Sequence, residues 1–207
     1  MLSGVILAGG NHGSTKGAPT LFRMIQGETL LQRQVREMRK CCGEITIVTD
    51  DPRPLLRQVD RDIRIITDYY VGKGMLGGMH AGLSLSKHRA VWIIGCHMPY
   101  PSADAAELMA LRLEDGLDAV LPMIGGRLHP LHGIYDRSCA VYFGQFLESG
   151  HTEADGLVRQ LRYLTVAETD FGYQGMDGGF VRTLEDAWGD ALTEFLADEG
   201  KASKSFK

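Results

Sequence analysis

Short apolar runs alternate with amphipathic stretches along the N-terminal part of the chain, and this alternation restricts it to few folds. The clearest apolar runs are Gly4–Leu7, Ile45–Val48, Ile63–Ile66, Ala90–Gly95 and Ala119–Pro122. Runs without polar alternation are typical of strands in a sheet that is covered on both faces. Because strands that alternate with helices form mostly parallel sheets, the pattern predicts an α/β, three-layer Rossmann-like fold with a mostly parallel sheet.

Helices are predicted between and after these strands. In the stretch Leu30–Lys40, the apolar residues recur at helical spacing and define one face. Beyond residue 125 the order is less regular, and a further strand is predicted at Gly133–Tyr135. The other predicted helices are Leu55–Val59, Met79–Leu85, Ala103–Leu113, Cys139–Leu147, Leu157–Leu161 and a last one that starts at Thr183. We expect one domain over residues 1–200 and a disordered tail over residues 201–207.

Composition excludes several classes of function. The net charge of −4 argues against a broad nucleic-acid-binding face. No apolar run approaches the roughly 18 residues that a membrane span needs, and the N-terminus lacks the pattern of a secretory signal. The four cysteines match no zinc-module spacing, so reduced thiols in a cytoplasmic protein are expected.

The first strand runs directly into a glycine-rich loop. Gly9 and Gly10 follow Leu7-Ala8, and Lys16 lies further along the same loop. Such a loop brings backbone N–H groups close to a phosphate, and glycine permits the close approach. Ligands of parallel sheets bind at the carboxyl ends of strands. Four candidate segments fall there, namely Leu7–Gly10, Thr49–Asp51, Thr67–Asp68 and Cys96–Pro99.

These motifs together resemble the MobA family, the molybdenum cofactor guanylyltransferases. That family begins with a strand and Leu-Ala-Gly-Gly, which is present here as Leu7–Gly10. Further segments match in the same order along almost the whole chain. They are Gly27–Leu30, Gly74–Leu83, Cys96–Pro99, His129–Leu131 and Arg182–Asp186.

The resemblance implies transfer of GMP from GTP to molybdopterin that carries molybdenum, with Mg²⁺ held by carboxylates at the reacting phosphate. Molybdoenzymes or other cofactor-biosynthesis proteins would then be partners, with no role for nucleic acid or membrane. By position, Leu7, Ala8, Gly9 and Gly10 would contact the nucleotide. Thr49 and Gly78 would lie near the base, and Asp68 near the nucleotide. Lys16 is the candidate for the family's catalytic lysine, and His97 occupies the position of its metal-binding aspartate.

The departures from the family pattern concern the chemistry. The loop at residues 11–19 lacks the family's arginine, and Lys16 is displaced from the lysine position. Imidazole is a poor ligand for Mg²⁺, so His97 puts the metal in question. His80, His129 and His132 are further candidates for a transition-metal site. Two alternatives therefore stay open: a non-catalytic relative that binds a nucleotide, pterin or protein partner, and a nucleotidyltransferase with another donor such as CTP.

Overall fold

The computed structural model describes residues 1–9, 20–70, 72–151, 156, 158 and 160–186. The strands are β1 Leu2–Leu7, β2 Met24–Ile25, β3 Glu28–Thr29, β4 Cys42–Val48, β5 Arg64–Ile66, β6 Ala90–Gly95, β7 Ala119–Ile124, β8 Arg127–Leu128, β9 Gly133–Asp136 and β10 Tyr163–Ala167. The helices are α1 Leu30–Met38, α2 Gly74–Leu85, α3 Ala103–Ala110, α4 Ala140–Glu148 and α5 Glu168–Gly172.

Eight strands form one mixed sheet in the order β10-β7-β9-β6-β1-β4-β5, with β8 paired to β7. The neighbours β6, β1, β4 and β5 are all parallel, and β10 is parallel to β7. Strand β9 lies between β6 and β7 and is antiparallel to both. The prediction of a mostly parallel sheet in an α/β fold is confirmed.

Helices cover the two faces of the sheet. On one face, α1 and α3 pack against side chains such as Ile6 and Trp92, which are fully buried. On the other face, α2 and α4 pack against Val5 and its neighbours. Successive residues of β1 therefore belong to different core clusters, as the alternation of side chains along a strand requires. This is the predicted arrangement of three layers.

Helix α2 approaches β1 unusually closely. At Gly82, a Cβ atom would lie 2.6 Å from Cγ1 of Val5. At Gly78, a Cβ atom would lie 3.2 Å from Cδ2 of Leu7. Glycine leaves room for these contacts, so α2 can include several glycines although glycine has poor helix propensity. The helix therefore begins at Gly74 rather than at the predicted Met79.

The start of α1 follows from local chemistry. The side chain of Thr29 accepts a hydrogen bond from the backbone N–H of Gln32, at 3.2 Å between Oγ1 and N. The Gln32 side chain in turn accepts from the N–H of Thr29, at 3.0 Å. This reciprocal pair satisfies backbone donors that a helix otherwise leaves without partners. Thr183 and Asp186 form an equivalent pair, which supports the predicted helix start at Thr183.

Some predictions differ from the structure. Leu55–Val59 is a series of turns rather than a helix, since Pro52 and Pro54 restrict the preceding backbone. The β2–β3 hairpin, β8, β10 and α5 were not predicted at all. Residues 157 and 159 of the predicted helix Leu157–Leu161 lie outside the described residues, as does the tail 201–207. Among the residues that the structure describes, no helix combines the length and apolar character needed to cross a bilayer.

Candidate active site

The carboxyl ends of four neighbouring strands meet at one edge of the sheet. The register aligns Leu7 of β1 with Val48 of β4 and with Gly95 of β6, and Val48 with Ile66 of β5. Backbone hydrogen bonds continue past the strands, from Ala8 N–H to the Val48 carbonyl at 2.7 Å and from Cys96 N–H to the Leu7 carbonyl at 2.9 Å. The predicted convergence of the four strand-end segments is confirmed for their described residues.

The residues predicted to contact the nucleotide lie at the end of β1 and in the turn that follows it. The Leu7 side chain is buried against α2 near Gly78, so its side chain faces the core. Ala8 and Gly9 are half-buried at the sheet edge, where their backbone is available to a ligand. Gly10 and Lys16 lie outside the described residues. Nucleotide contact by Ala8 and Gly9 remains a prediction that this position favours.

Gly9 borders a carboxylate that the sequence analysis did not single out. A Cβ atom on Gly9 would lie 2.9 Å from Oδ1 of Asp50 and 3.2 Å from Oδ2. The Asp50 carboxylate therefore lies directly beside the turn after β1. The sequence indicated Asp50 only through its place between Thr49 and Asp51, in the segment that follows β4.

If this turn contacts the nucleotide as predicted, Gly9→Ala should weaken GTP binding by about 10- to 100-fold, because close backbone approach to a ligand depends on glycine. The new methyl group would also press on the Asp50 carboxylate and displace it. Calorimetric titration with GTP measures the effect. Gly172→Ala is the matched control, since a Cβ there meets no atom within 4 Å. Equal GTP affinity in the Gly9 and Gly172 variants would contradict the assignment.

Asp68 faces the first turns of α2. A Cβ atom on Gly77 would lie 3.0 Å from Oδ2 of Asp68. Burial raises the pKa of the Asp68 carboxyl, and the negative charge of Asp50 raises it further. Asp50 and Asp68 thus form a pair of carboxylates on the two adjacent strand ends.

Thr49 and Gly78 have structural partners of their own. The Thr49 hydroxyl donates to the Asp51 carbonyl at 3.2 Å and accepts from the Asp51 N–H at 3.3 Å, so it stabilises its own turn. Gly78 allows α2 to pack on Leu7. Contact of either residue with a base stays a prediction.

The loop after β6 is held from two sides. The buried Gln34 side chain of α1 donates from Nε2 to the Gly95 carbonyl at 3.0 Å and to the Met98 carbonyl at 2.8 Å. From the C-terminal part of the chain, the Leu184 N–H donates to the His97 carbonyl at 2.8 Å. Two distant segments, α1 and the C-terminal part of the chain, therefore fix the backbone around His97.

The His97 imidazole folds back over its own strand. A Cβ atom on Gly95 would lie 2.9 Å from Nδ1 of His97 and 3.0 Å from Cδ1 of Leu131. Mg²⁺ prefers oxygen ligands, whereas this position offers a nitrogen ligand beside an apolar side chain. Within the described part of the chain, no three His, Cys, Asp or Glu side chains are grouped to hold a metal ion. The His97 side chain therefore does not fit the predicted Mg²⁺ site.

The other candidate histidine ligands have different surroundings. His132 is completely buried, and its Nε2 accepts a hydrogen bond from the Ser102 N–H at 3.0 Å. Its ring centroid lies 5.1 Å from that of Trp92 and 4.7 Å from that of Phe180. Burial lowers the pKa of His132 to about 3. This histidine is a neutral core residue rather than a metal ligand.

His80 lies on the face of α2 that packs against α4. Its ring contacts the Tyr70 ring edge-on, with 5.0 Å between centroids, and the Tyr70 hydroxyl donates to Glu148 at 3.1 Å. Burial also lowers the pKa of His80 and that of His129, which directly follows β8. The structure does not bring these histidines into one three-ligand group with His97.

A cavity of about 460 Å³ borders the segment that leads from His97 to α3. Its lining combines an aromatic ring, a carboxylate and a guanidinium, which suits a polar heteroaromatic ligand. Arg33 lies over the Tyr100 ring, with 5.6 Å from Cζ to the ring centroid. The cavity is lined by Tyr100, Ser102, Gly175, Met176, Asp177, Gly179, Phe180 and Arg182. This cavity could not be predicted from the sequence, because its two halves are far apart along the chain.

The fold is that of the nucleotidyltransferases with a Rossmann-like sheet. The structure is similar to molybdopterin-guanine dinucleotide biosynthesis protein A from Archaeoglobus fulgidus, with a TM-score of 0.70, 19% identity, and coverage of 84% of this chain and 87% of that one. It is also similar to 4-diphosphocytidyl-2C-methyl-D-erythritol synthase from Anaerococcus prevotii, with a TM-score of 0.64, 13% identity, and coverage of 93% and 96%. These likenesses establish the fold.

Sequence comparison then establishes the family. Residues 4–164 match the MobA-like NTP transferase domain, and the chain belongs to this family. It is 28% identical over 167 residues to the molybdenum cofactor guanylyltransferase of Desulfosudis oleivorans, which covers 81% of each chain. It is 30% identical over 172 residues to a probable molybdenum cofactor guanylyltransferase of Peptoclostridium acidaminophilum, which covers 80% of this chain and 76% of the relative. The resemblance inferred from the motifs is confirmed.

Proposed function

We propose that this protein is a molybdenum cofactor guanylyltransferase, which transfers GMP from GTP to molybdenum-bearing molybdopterin. The observation that carries the proposal is the match to relatives of that name over about four fifths of both chains. In the reaction, an oxygen of the acceptor's phosphate bonds to the α-phosphorus of GTP. The bond from that phosphorus to the β-phosphate breaks, and pyrophosphate leaves.

The nucleotide is proposed to bind at the carboxyl ends of β1, β4 and β5. Ala8 and Gly9 offer backbone to the ligand, and Lys16 is proposed to neutralise the triphosphate. Asp68 offers an acceptor to the N–H groups of guanine, whose N2 amino group adenine lacks. Its place at the end of β5, one of the strands of this edge, supports a position near the nucleotide.

The acceptor is proposed to enter the cavity beside Tyr100. A volume of about 460 Å³ lies within the range of roughly 300–1,000 Å³ that small-molecule sites have. The Tyr100 ring offers a stacking surface to a pterin, and Arg182 offers a cation to its phosphate. Arg182 of the cavity lining comes two residues before Leu184, whose N–H donates to the His97 carbonyl, and this supports the proposal that both substrates reach one reacting centre.

Calorimetry with GTP, ATP and CTP, each with and without Mg²⁺, tests the choice of donor. We expect binding of GTP alone, and release of pyrophosphate when molybdopterin is added. Absence of binding with all three nucleotides would contradict the proposal and favour a non-catalytic relative that binds a pterin or a protein. Binding of CTP in preference to GTP would instead favour a transferase with another donor.

His97 is the feature that favours the non-catalytic alternative, and replacing it tests whether position 97 faces the metal. We expect His97→Asp to tighten Mg²⁺ binding in the presence of GTP by about 10-fold, because a carboxylate supplies the oxygen ligand that Mg²⁺ prefers. Titration with Mg²⁺ measures the change. His88→Asp, which adds a carboxylate before β6 at the opposite end of the sheet, is the control. Unchanged Mg²⁺ affinity in His97→Asp would show that position 97 does not face the metal.

A further inference from the structure

A group of sulfur atoms lies at the end of the sheet opposite the candidate active site. Sγ of Cys41 and Sγ of Cys42 are 3.8 Å apart, where the turn after α1 enters β4. The thioether of Met1 lies against Gly43, the next residue of β4. With about 3.3 Å per residue, the six-residue strand β1 separates this group from Gly9 by nearly 20 Å.

The thioether of Met38 lies close to the same thiols. At Gly4, a Cβ atom would lie 2.8 Å from Sδ of Met38 and 3.1 Å from Sγ of Cys42, so both sulfur atoms occupy the space over this glycine. Met38 is fully buried, whereas Cys41 and Cys42 are half-buried. The group therefore combines a fixed thioether with two thiols that solvent can reach.

The Cys41 thiol opens onto a second cavity of about 460 Å³. Met1 and Glu107 line the same cavity. The negative charges of Glu37 and Glu107 act on the Cys41 sulfur. Such charges favour a cation at this place over an anion.

The spacing of the two thiols suits a bridging atom better than a disulfide bond. Consecutive Cα atoms are about 3.8 Å apart, which is shorter than the roughly 4.4–6.8 Å that disulfides usually span. A cation at about 2.3 Å from each of two tetrahedrally arranged sulfurs would hold them about 3.8 Å apart. The observed separation is already of that size.

The geometry points to a site for one soft, thiophilic cation of the Cu(I) class, bound by Cys41 and Cys42 and completed by the thioether sulfur of Met38. Thiolate and thioether sulfur together are the ligands that Cu(I) selects. Each thiol releases its proton to solvent as it binds, so the two protons are replaced by one cation and no oxidant is needed. The site does not depend on the proposed guanylyltransferase activity.

Competition for Cu(I) against a coloured chelator, with the full chain kept reduced, tests this site. We expect one equivalent of Cu(I) per chain, and an affinity loss of at least about 100-fold in Cys41→Ser and in Cys42→Ser. Met38→Leu conserves volume and should lose about 10-fold by removing a thioether. Cys96→Ala, at the other end of the sheet, is the control and should bind Cu(I) as the unaltered chain does.

Three outcomes would overturn the inference. They are failure of the unaltered chain to take Cu(I) from the chelator, full Cu(I) binding by the double serine variant, and Zn²⁺ binding as tight as that of Cu(I). Equally tight Zn²⁺ binding would remove the role proposed for thioether sulfur in this site. GTP titration of the same serine variants should be unchanged, so a failure here is distinct from a failure of the proposed function.

Discussion

Gly82→Ala is expected to lower the free energy of unfolding by about 3 kcal/mol, although alanine favours helix formation more than glycine does. The new Cβ atom would lie 2.6 Å from Cγ1 and 3.2 Å from Cγ2 of Val5. Val5 is fully buried in β1, which has strands on both sides, so neither residue can move aside. Urea denaturation of the purified variant measures the change.

Gly144→Ala in α4 is the matched control for this prediction. A Cβ atom there would lie 3.4 Å from Nε2 of His80, which is an ordinary contact. Helix propensity should therefore dominate, and the free energy of unfolding should rise by about 0.5–1 kcal/mol. If both variants change stability in the same direction, the close approach of α2 to β1 does not determine stability.

Acid is expected to destabilise the protein through His132. An unfolded histidine gains a proton near pH 6.5, whereas burial holds the pKa of folded His132 at about 3. The unfolded state therefore binds more protons between these values, and stability falls as the pH is lowered through that window. Between pH 6.5 and pH 4.5 the loss should be about 2–3 kcal/mol, and it continues down to about pH 3.

His132→Asn isolates this effect. His132 has a φ angle of 72°, a left-handed conformation that asparagine tolerates better than most residues. The variant is less stable at neutral pH, but its stability should depend less on pH in this window. Since His80 and His129 remain in both proteins, the difference between the two pH profiles belongs to His132. Parallel profiles from thermal or urea denaturation would contradict the assignment.

The sequence predicted the part of the fold that local patterns determine. The run Ala90–Gly95 coincides with β6, and the helix predicted from Leu30 begins there. Strand direction depends on long-range pairing, so the antiparallel β9 was predicted as a strand without its orientation. β10 was missed because most of its residues are exposed or half-buried at the sheet edge, which weakens the apolar signal.

The candidate site was predicted to a similar extent. The strand ends follow from the strands themselves, so the places of Thr49, Asp68 and His97 at one edge could be predicted. The place of Asp50 at the end of β4 could be predicted as well, but its closeness to the turn at Gly9 could not. The orientation of His97 depends on Gly95 and Leu131, and no pattern in the sequence predicts such a contact.

The loop around His97 has a consequence for folding during synthesis. Its backbone is bonded by Gln34, which emerges from the ribosome early, and by Leu184, which emerges near the end. Chains are synthesised at about 5–20 residues per second, and their N-terminal parts begin to fold first. A nascent chain can thus assemble β1, β4 and β6 while the final bond to the His97 carbonyl is still missing. Completion of this edge is therefore tied to completion of the polypeptide, so fragments that stop before residue 184 would not carry the finished arrangement.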